Sequence, residues 1–175
     1  WIWSKSIMKR ILAAAVAVAM TASLGVAEAQ TRNRTKVDQW GYGHGAASVQ
    51  NGDRNGAVVV QGGRGHYSRG VQEGYNNFLR MDQYGTRNRA MTRQRGEDNY
   101  SVSAQEGLHL DAETRQNGYG NVAGVAQIGR GHTALTDQDG VDHTSAIIQT
   151  GEGQHADVRQ RGNGSISVVI QGGYN

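Results

Sequence analysis

Glutamine, glycine and small residues recur along this chain at fixed positions, and charged residues avoid those positions. From Gln39 to Gln171 a glutamine stands at every eleventh position, and a glycine follows each one two residues later, without gap or insertion over thirteen units. Counting from each glutamine as position zero, +5 is mainly Asn or His, +7 is small, and +9 is small or β-branched. A period this strict indicates a repeat architecture.

The repeated positions predict strands with one buried face. Positions +5, +7, +9 and the next glutamine are two residues apart, so they share one face of an extended strand. Of the 25 charged residues after Gln39, eleven lie at +6, +8 or +10, fourteen at +1, +3 or +4, and none on that face. Because burying an unpaired charge is costly, the uncharged face is predicted to be the buried one. Each unit is read as a seven-residue strand and a four-residue turn: 33–39, 44–50, 55–61 and onward to 165–171.

The predicted fold class is all-β, an amyloid-like β-solenoid with parallel, in-register stacking. A strand of this length cannot bury its face alone, so two strand-turn units of 11 residues are expected to face each other and form a rung of 22 residues. The thirteen units give about six and a half rungs. At about 4.8 Å per rung the stack would be about 31 Å tall.

The inward positions define candidate columns of hydrogen-bonding side chains. Stacked glutamines can exchange amide hydrogen bonds with the rungs above and below, which fixes the register. The inward Gln ladder comprises Gln39, Gln50, Gln61, Gln72, Gln83, Gln94, Gln105, Gln116, Gln127, Gln138, Gln149, Gln160 and Gln171. The inward Asn/His ladder comprises Asn33, His44, Asn55, His66, Asn77, Asn88, Asn99, Asn121, His132 and His143. A third column contains Thr92, Thr114 and Thr136.

Glycine at +2 is expected to form the turn with a positive φ or to allow close approach of the next rung. These turn glycines are Gly41, Gly52, Gly63, Gly74, Gly85, Gly96, Gly107, Gly118, Gly129, Gly140, Gly151, Gly162 and Gly173.

Composition agrees with a thin core. The chain of 175 residues has 26 Gly, a single Phe, and neither Pro nor Cys. Too few large apolar side chains are present for a thick globular core, whereas a core extended in one direction needs little apolar volume. The absence of Pro suits a backbone that is hydrogen-bonded throughout, and the absence of Cys excludes disulfides and thiolate metal sites.

Residues 1–29 are read as a secretory signal peptide preceded by a few residues that lie upstream of its start. Lys9 and Arg10 precede an apolar run, and the sequence Ala27-Glu28-Ala29 offers a cleavage site of small residues. We expect the leader to start at Met8 and to be cleaved after Ala29, leaving 30–175 as the repeat domain. A membrane anchor is the alternative interpretation of the apolar run.

Cleavage would remove most of the basic excess. The whole chain has a formal net charge of +3, but residues 30–175 hold 15 basic and 14 acidic residues. Nucleic-acid binding is therefore not expected, because little cationic excess is left to neutralise phosphates.

The last predicted strand has the composition of an assembly edge. It carries no charge and has high β-propensity, and an uncapped edge strand can template another chain. The candidate assembly edge comprises Ser165, Ile166, Ser167, Val168, Val169, Ile170 and Gln171.

These residues resemble the curlin repeat, whose motif runs Gln-x-Gly-x-x-Asn-x-Ala with another Gln after three further residues. The motif is complete in the units that begin at Gln50, Gln83 and Gln116. The resemblance covers 33–175, although His replaces Asn at four of the +5 positions and Leu110 replaces it once.

The resemblance implies a structural subunit of a secreted curli-type functional amyloid fibre. It implies a self-assembling protein on the surface of a Gram-negative bacterium, with roles in biofilm matrix, adhesion and cell aggregation. The implied partners are further copies of the chain, a curli nucleator and an outer-membrane secretion pore, and no cofactor or small-molecule substrate is expected. A surface-bound nucleator of the same fibre remains an alternative.

Other functions are less well supported. Catalysis would need clustered carboxylates or a triad, whereas the acids here are scattered over turns and the outward face. His44 and His66 lie one rung apart and could share a metal ion, but no carboxylate shares their column, so hydrogen-bonded histidines are preferred. A monomeric adhesin or ice-binding solenoid remains open, although ice binding would want an outward Thr array, and the Thr column shares the inward face.

Overall fold

The computed structural model describes residues 32–173, which lie within a compact unit spanning Thr31–Asn175. The leader and cleavage site predicted over 1–29 lie outside the described residues. Thirteen strands follow one another, all connected by two-residue turns. They are β1 (Arg34–Tyr42), β2 (Gly45–Asp53), β3 (Gly56–Arg64), β4 (Tyr67–Tyr75), β5 (Phe78–Thr86), β6 (Arg89–Glu97), β7 (Tyr100–Leu108), β8 (Asp111–Tyr119), β9 (Val122–Arg130), β10 (Thr133–Val141), β11 (Thr144–Glu152), β12 (His155–Asn163) and β13 (Ile166–Gly173).

The strands form two parallel sheets that alternate along the chain. Odd-numbered strands build a seven-stranded sheet in the order β1-β3-β5-β7-β9-β11-β13, and even-numbered strands build a six-stranded sheet from β2 to β12. Each residue pairs with the residue 22 positions further along, as Gln61 does with Gln83. The predicted β-solenoid with 22 residues per turn is confirmed.

Strand boundaries differ from those predicted. Strands β1 to β12 extend past their glutamine through the glycine to position +3, and β13 extends to its glycine, Gly173, so all the strands are longer than seven residues and only +4 and +5 form the turns. The backbone can continue to pair here because the same conformation repeats in every rung. Charged residues at +1 and +3, assigned to turns from the sequence, therefore lie on outward strand positions.

The turn itself depends on a left-handed residue at +4. All twelve +4 residues from Gly43 to Gly164 have a positive φ, including Arg54 at 57° and Asp98 at 55°. The turn backbone also bonds to the neighbouring rung, as where the Asn76 amide donates to the Asp53 carbonyl at 3.0 Å. The turns are therefore part of the stack and not loose connections.

The interior is thin and is filled by pairing large side chains with small ones. Leu79 and Met81 on β5 are fully buried. A side chain at Gly70 on the facing β4 would collide with Leu79. A second apolar cluster surrounds Ile147 and includes Val125 and Val158. The two sheets thus hold a continuous narrow core between them.

Candidate assembly interface

Glutamine side chains form two continuous ladders, one on the inner face of each sheet. Each Nε2 donates to the Oε1 of the glutamine 22 residues later, as from Gln61 to Gln83 at 2.7 Å and from Gln94 to Gln116 at 2.9 Å. Gln61 to Gln149 are buried at every step of the series. Gln39 is exposed because only one rung covers it, yet it still donates to Gln61. Gln50 and Gln171 are half-buried for the same reason.

Every glutamine from Gln50 to Gln171 also bonds across the core to the backbone of the facing sheet. Gln105 on β7 donates to the Arg89 carbonyl on β6 at 2.8 Å, and Gln116 on β8 donates to the Tyr100 carbonyl on β7 at 3.0 Å. The side chain therefore ties neighbouring rungs and opposite sheets together. A buried amide with these partners avoids the cost of an unsatisfied polar group.

Asparagine at +5 fixes the turns. The Asn77 side chain donates to the Gly96 carbonyl at 2.8 Å, while its Oδ1 accepts the backbone amide of Asn99 at 3.1 Å. Asn55, Asn99 and Asn121 make equivalent bonds to their neighbours. Because both bonds run to the next rung, the asparagine sets the register of the turns as the glutamine sets that of the strands.

Histidine at +5 reproduces the bonding of asparagine. The backbone amide of Asn88 donates to Nδ1 of His66 at 3.2 Å, and His66 Nε2 lies 3.1 Å from the Gly62 carbonyl. His44 and His132 bind the backbone in the same way through Nε2. Nδ1 must be unprotonated to accept the amide, so this geometry selects the neutral ring. Burial, with a smaller contribution from His44, lowers the pKa of His66.

The rest of the Asn/His column follows the same pattern with local differences. Nδ1 of His143 accepts the Ser165 amide at 3.1 Å, whereas its buried Nε2 has no hydrogen-bond partner among the described residues. Asn33 is exposed and His44 half-buried, because they lie in the first rung. The rings of His44 and His66 are stacked with centroids 5.0 Å apart. In residues 32–173 no group of three potential metal ligands is brought together.

The threonine column is buried, but it forms no hydrogen-bonded ladder. Thr92, Thr114 and Thr136 are at most 2% exposed. The hydroxyls of Thr114 and Thr136 have no hydrogen-bond partner in the described part of the chain. The threonine side chain is too short for its hydroxyl to reach the next threonine one rung away, so this column contributes to the packing of the core. Because these threonines point inward, they do not form the outward-facing Thr array that ice binding would require.

Glycine at +2 allows the rungs to approach each other closely. From Gly41 to Gly151 every +2 glycine has a positive φ between 104° and 143°. A Cβ atom at any of them would overlap the carbonyl oxygen of the next glycine in the column. Both expectations for these glycines, a positive φ and close approach, therefore describe the same positions.

Outward charges form exposed pairs between and within strands. Glu73 on β4 accepts from Arg95 at 2.8 Å and from Arg93 at 3.3 Å on β6. The hydrogen bond from Arg95 is the main cause that lowers the pKa of Glu73. Such exposed pairs contribute little to stability, and they keep charge on the faces of both sheets.

Two ends of the stack expose strand edges. At one end lies β13, where Ile166 is 78% and Ile170 is 72% exposed. The inward residues Ser165, Ser167, Val169 and Gln171 are half-buried, while Val168 is exposed with the other two outward residues. The sequence analysis named no residues at the opposite end, where Trp40 and Val49 are both more than half exposed. Their positions at +1 and +10 of the first units, next to the start of the repeat, could have revealed them.

This architecture defines a class of protein: a two-sheet parallel β-solenoid held by amide ladders, whose first and last strands each have one strand neighbour among residues 32–173. The family model of the curlin associated repeat matches residues 110–140. The resemblance found in the sequence is therefore confirmed over this segment. No curated protein and no solved structure gave a significant match to the chain. Within the described residues there is no helix of the length and apolarity needed to cross a membrane.

Proposed function

We propose that this chain is a structural subunit of a secreted, extracellular curli-type fibre. The curlin repeat and the solenoid support an amyloid-like subunit, and the proposal extends this to a fibre that serves biofilm matrix, adhesion and cell aggregation on a Gram-negative surface. The single observation that carries it is the pair of open ends. Strands β1 and β13 each pair with one neighbour in the described chain, through β3 and β11.

An open strand edge can be extended by a further chain. The backbone groups on the free side of β13 have no partner among residues 32–173, and its outward side chains are apolar and exposed. Adding a strand would satisfy these groups and cover the apolar side chains. The ladders favour the same addition, because each new glutamine finds a partner already in place. In this proposal the role of the chain is structural, and export uses the predicted leader and a secretion pore.

Polymerisation is the direct test. Since the core of the solenoid lies wholly within the unit that starts at Thr31, residues 30–175 can be purified from denaturant without the leader. We expect a lag phase, growth that preformed fibres accelerate, thioflavin binding, and cross-β diffraction with a spacing of about 4.8 Å. A protein that stays monomeric in dilute buffer would refute the proposal and favour the monomeric adhesin.

The nucleator role can be separated from the subunit role by stoichiometry. A subunit should form the bulk of the fibre mass, whereas a nucleator should act at a small molar fraction of another curlin protein. Self-seeded growth of the pure chain to completion would support the subunit. The exposed β13 edge is consistent with either role, so the assay and not the fold distinguishes them.

A further inference from the structure

The two ends of the stack are not equivalent, and this gives the stack a direction. In every glutamine pair the amide NH2 points toward the C-terminal rung and the oxygen toward the N-terminal rung, as in Gln138 to Gln160 at 2.8 Å and Gln149 to Gln171 at 2.9 Å. The C-terminal end therefore presents amide donors and the N-terminal end amide acceptors. Because donors pair with acceptors, head-to-tail addition continues both ladders and head-to-head addition does not.

Residues 32–173 form thirteen strands, and this odd number sets the rotation between neighbouring copies. Strands alternate between the sheets, and both the first and the last lie in the seven-stranded sheet. The next free position along the coil is therefore in the six-stranded sheet, beside β12. We propose that a second copy of this chain places its β1 on β12 and its β2 on β13, so that successive copies are related by a half-turn about the fibre axis. This inference rests on the proposed function and specifies its interface.

Contacts between β2 and β13 in this arrangement are apolar. With Gln50 of the second copy stacked on Gln171, Val49 of that copy lies opposite Ile170, and its Ala47 lies opposite Val168. These side chains point outward, and Val49 and Ile170 are 53% and 72% exposed before contact. Each strand would cover apolar surface that the other leaves open to water.

Contacts between β1 and β12 are complementary in charge. With Gln39 of the second copy stacked on Gln160, its Lys36 lies opposite Asp157, and its Asp38 lies opposite Arg159. Lys36 pairs with Asp38 at 2.9 Å within one strand, and Arg159 pairs with Asp157 at 2.8 Å within the other. Stacking the two pairs gives a square in which each charge has opposite neighbours.

The charge pattern continues one that already exists inside the molecule. Asp137 on β10 lies in register with Arg159 on β12, and Arg115 on β8 lies in register with Asp137. Asp38 of the next copy would be the following member of this alternating series. This outward column therefore alternates in sign from Arg115 through the junction, whereas Arg93 and Arg115, one rung earlier, are like charges in register.

Stacking without the half-turn is less favourable on both sheets. It would place β1 of the second copy on β13, so that Lys36 would meet Val168 and Asp38 would meet Ile170. Charged side chains would then cover apolar ones, and the position beside β12 would hold no strand. An edge left unpaired between two copies loses the backbone hydrogen bonds that a filled position provides.

Disulfide cross-linking within fibres tests the arrangement, because the chain has no cysteine of its own. In-register residues on adjacent parallel strands lie about 4.8 Å apart, which is within the range that a disulfide spans. Fibres of residues 30–175 carrying Val49→Cys and Ile170→Cys are oxidised and dissolved in denaturant without reductant. We expect a covalent ladder of dimers, trimers and larger species on a denaturing gel.

The matched control carries Asp38→Cys and Ile170→Cys, which would meet only without the half-turn. It should remain monomeric after the same treatment. A second pair on the other sheet, Lys36→Cys with Asp157→Cys, should cross-link, and its control, Lys36→Cys with Val168→Cys, should not. Because the two pairs are independent, the test can still be interpreted if one substitution blocks fibre growth.

The outcomes separate this inference from the proposed function. Fibres in which the control pairs cross-link, or in which neither set does, would overturn the half-turn while leaving the fibre subunit intact. Failure of the cysteine-free chain to form any fibre would refute the proposed function, and the interface with it. Cross-linking confined to the Val49–Ile170 and Lys36–Asp157 pairs supports both.

Discussion

Each glutamine in the interior of this protein both fills space between the sheets and bonds to the next rung. Gln105 illustrates this: it is 1% exposed, donates to Gln127 at 2.9 Å and accepts from Gln83 at 2.9 Å. A single hydrogen bond of this kind contributes about 1 kcal/mol net, but leaving a buried partner unsatisfied costs more. The repeated polar core is therefore stable only while its columns are uninterrupted.

A charge placed in the glutamine ladder should therefore be far more harmful than the loss of one outside. Gln105→Arg would bury an unpaired cation and break bonds to both neighbours, and we expect a loss of roughly 4 kcal/mol or more in unfolding free energy, with no fibre growth. Arg93→Gln changes an exposed side chain on the outward face and should alter stability by less than about 0.5 kcal/mol. Urea denaturation and growth assays compare the two, and equal behaviour would contradict the facing of these residues.

His66 should make the solenoid sensitive to acid. Burial lowers the pKa of His66 from its ordinary value of 6.5, so the folded chain prefers the neutral ring more than the unfolded chain does. The stability that this preference provides is present above pH 6.5 and is lost as the pH falls below it. The urea midpoint, followed by circular dichroism from pH 8 to pH 5, measures this loss.

His66→Asn provides the control for the acid effect. Asparagine offers an oxygen to the Asn88 amide in place of Nδ1 and does not titrate. We expect the variant to match the original protein above pH 7 and to lose less stability on acidification. An unchanged slope with pH would show that His66 does not contribute.

Strands and turns in this protein are determined jointly with their neighbours. The sequence predicted strands of seven residues because charges begin after the glutamine, and it thus assigned Gly63 and Arg64 to a turn. In the structure both pair in register with Gly85 and Thr86 as part of the strands. The local pattern could not show this, since the extension depends on an identical backbone in the adjacent rung.

Substitution of a glycine at +2 should destabilise the stack more than substitution of a glycine at +4. Gly107→Ala would place a Cβ against the Gly129 carbonyl in a backbone with φ of 143°, and we expect a loss of more than about 3 kcal/mol. Gly131 has φ of 67° with open space around it, so Gly131→Asn should cost less than about 1 kcal/mol. Similar urea midpoints for the two variants would contradict the close approach of the rungs.

The whole molecule behaves as a one-dimensional stack, in which each rung contacts only its neighbours. Removing a complete rung should then be tolerated. Deletion of residues 100–121 joins Asn99 to Val122, keeps every column in phase, and brings Arg93 opposite Asp137. We expect a folded solenoid about 4.8 Å shorter that still forms fibres.

Insertion of one residue should destabilise the solenoid more than deletion of twenty-two residues. An Ala inserted between Arg93 and Gln94 moves one side of the strand out of phase, which forces a bulge against both neighbouring strands or turns the inward residues outward. The insertion variant should therefore have a lower urea midpoint than the deletion variant. The opposite order would show that the columns do not control the fold.

The fold could be predicted from the sequence because the same few constraints are repeated thirteen times. The Gln and Gly columns gave the period, and the segregation of charge gave the buried face. The need of one strand to cover that face with another gave the 22-residue rung. Local packing could not be predicted in the same way. That Leu79 is accommodated opposite Gly70 depends on which strands face each other and at what height, and the unpaired Thr114 hydroxyl depends on the distance between rungs.

The sequence by itself determined the class of fold, the inward and outward faces, and the candidate ladders, because desolvation of charge and the two-residue period of a strand act on every unit alike. Only the tertiary structure decided where strands end, how histidine substitutes for asparagine, and in which direction the glutamine amides point. These features depend on contacts between residues 16 to 22 positions apart, which no single unit contains. The strand edges at the two ends of residues 32–173 were also decided by the tertiary structure, since an edge exists only once the sheets have formed.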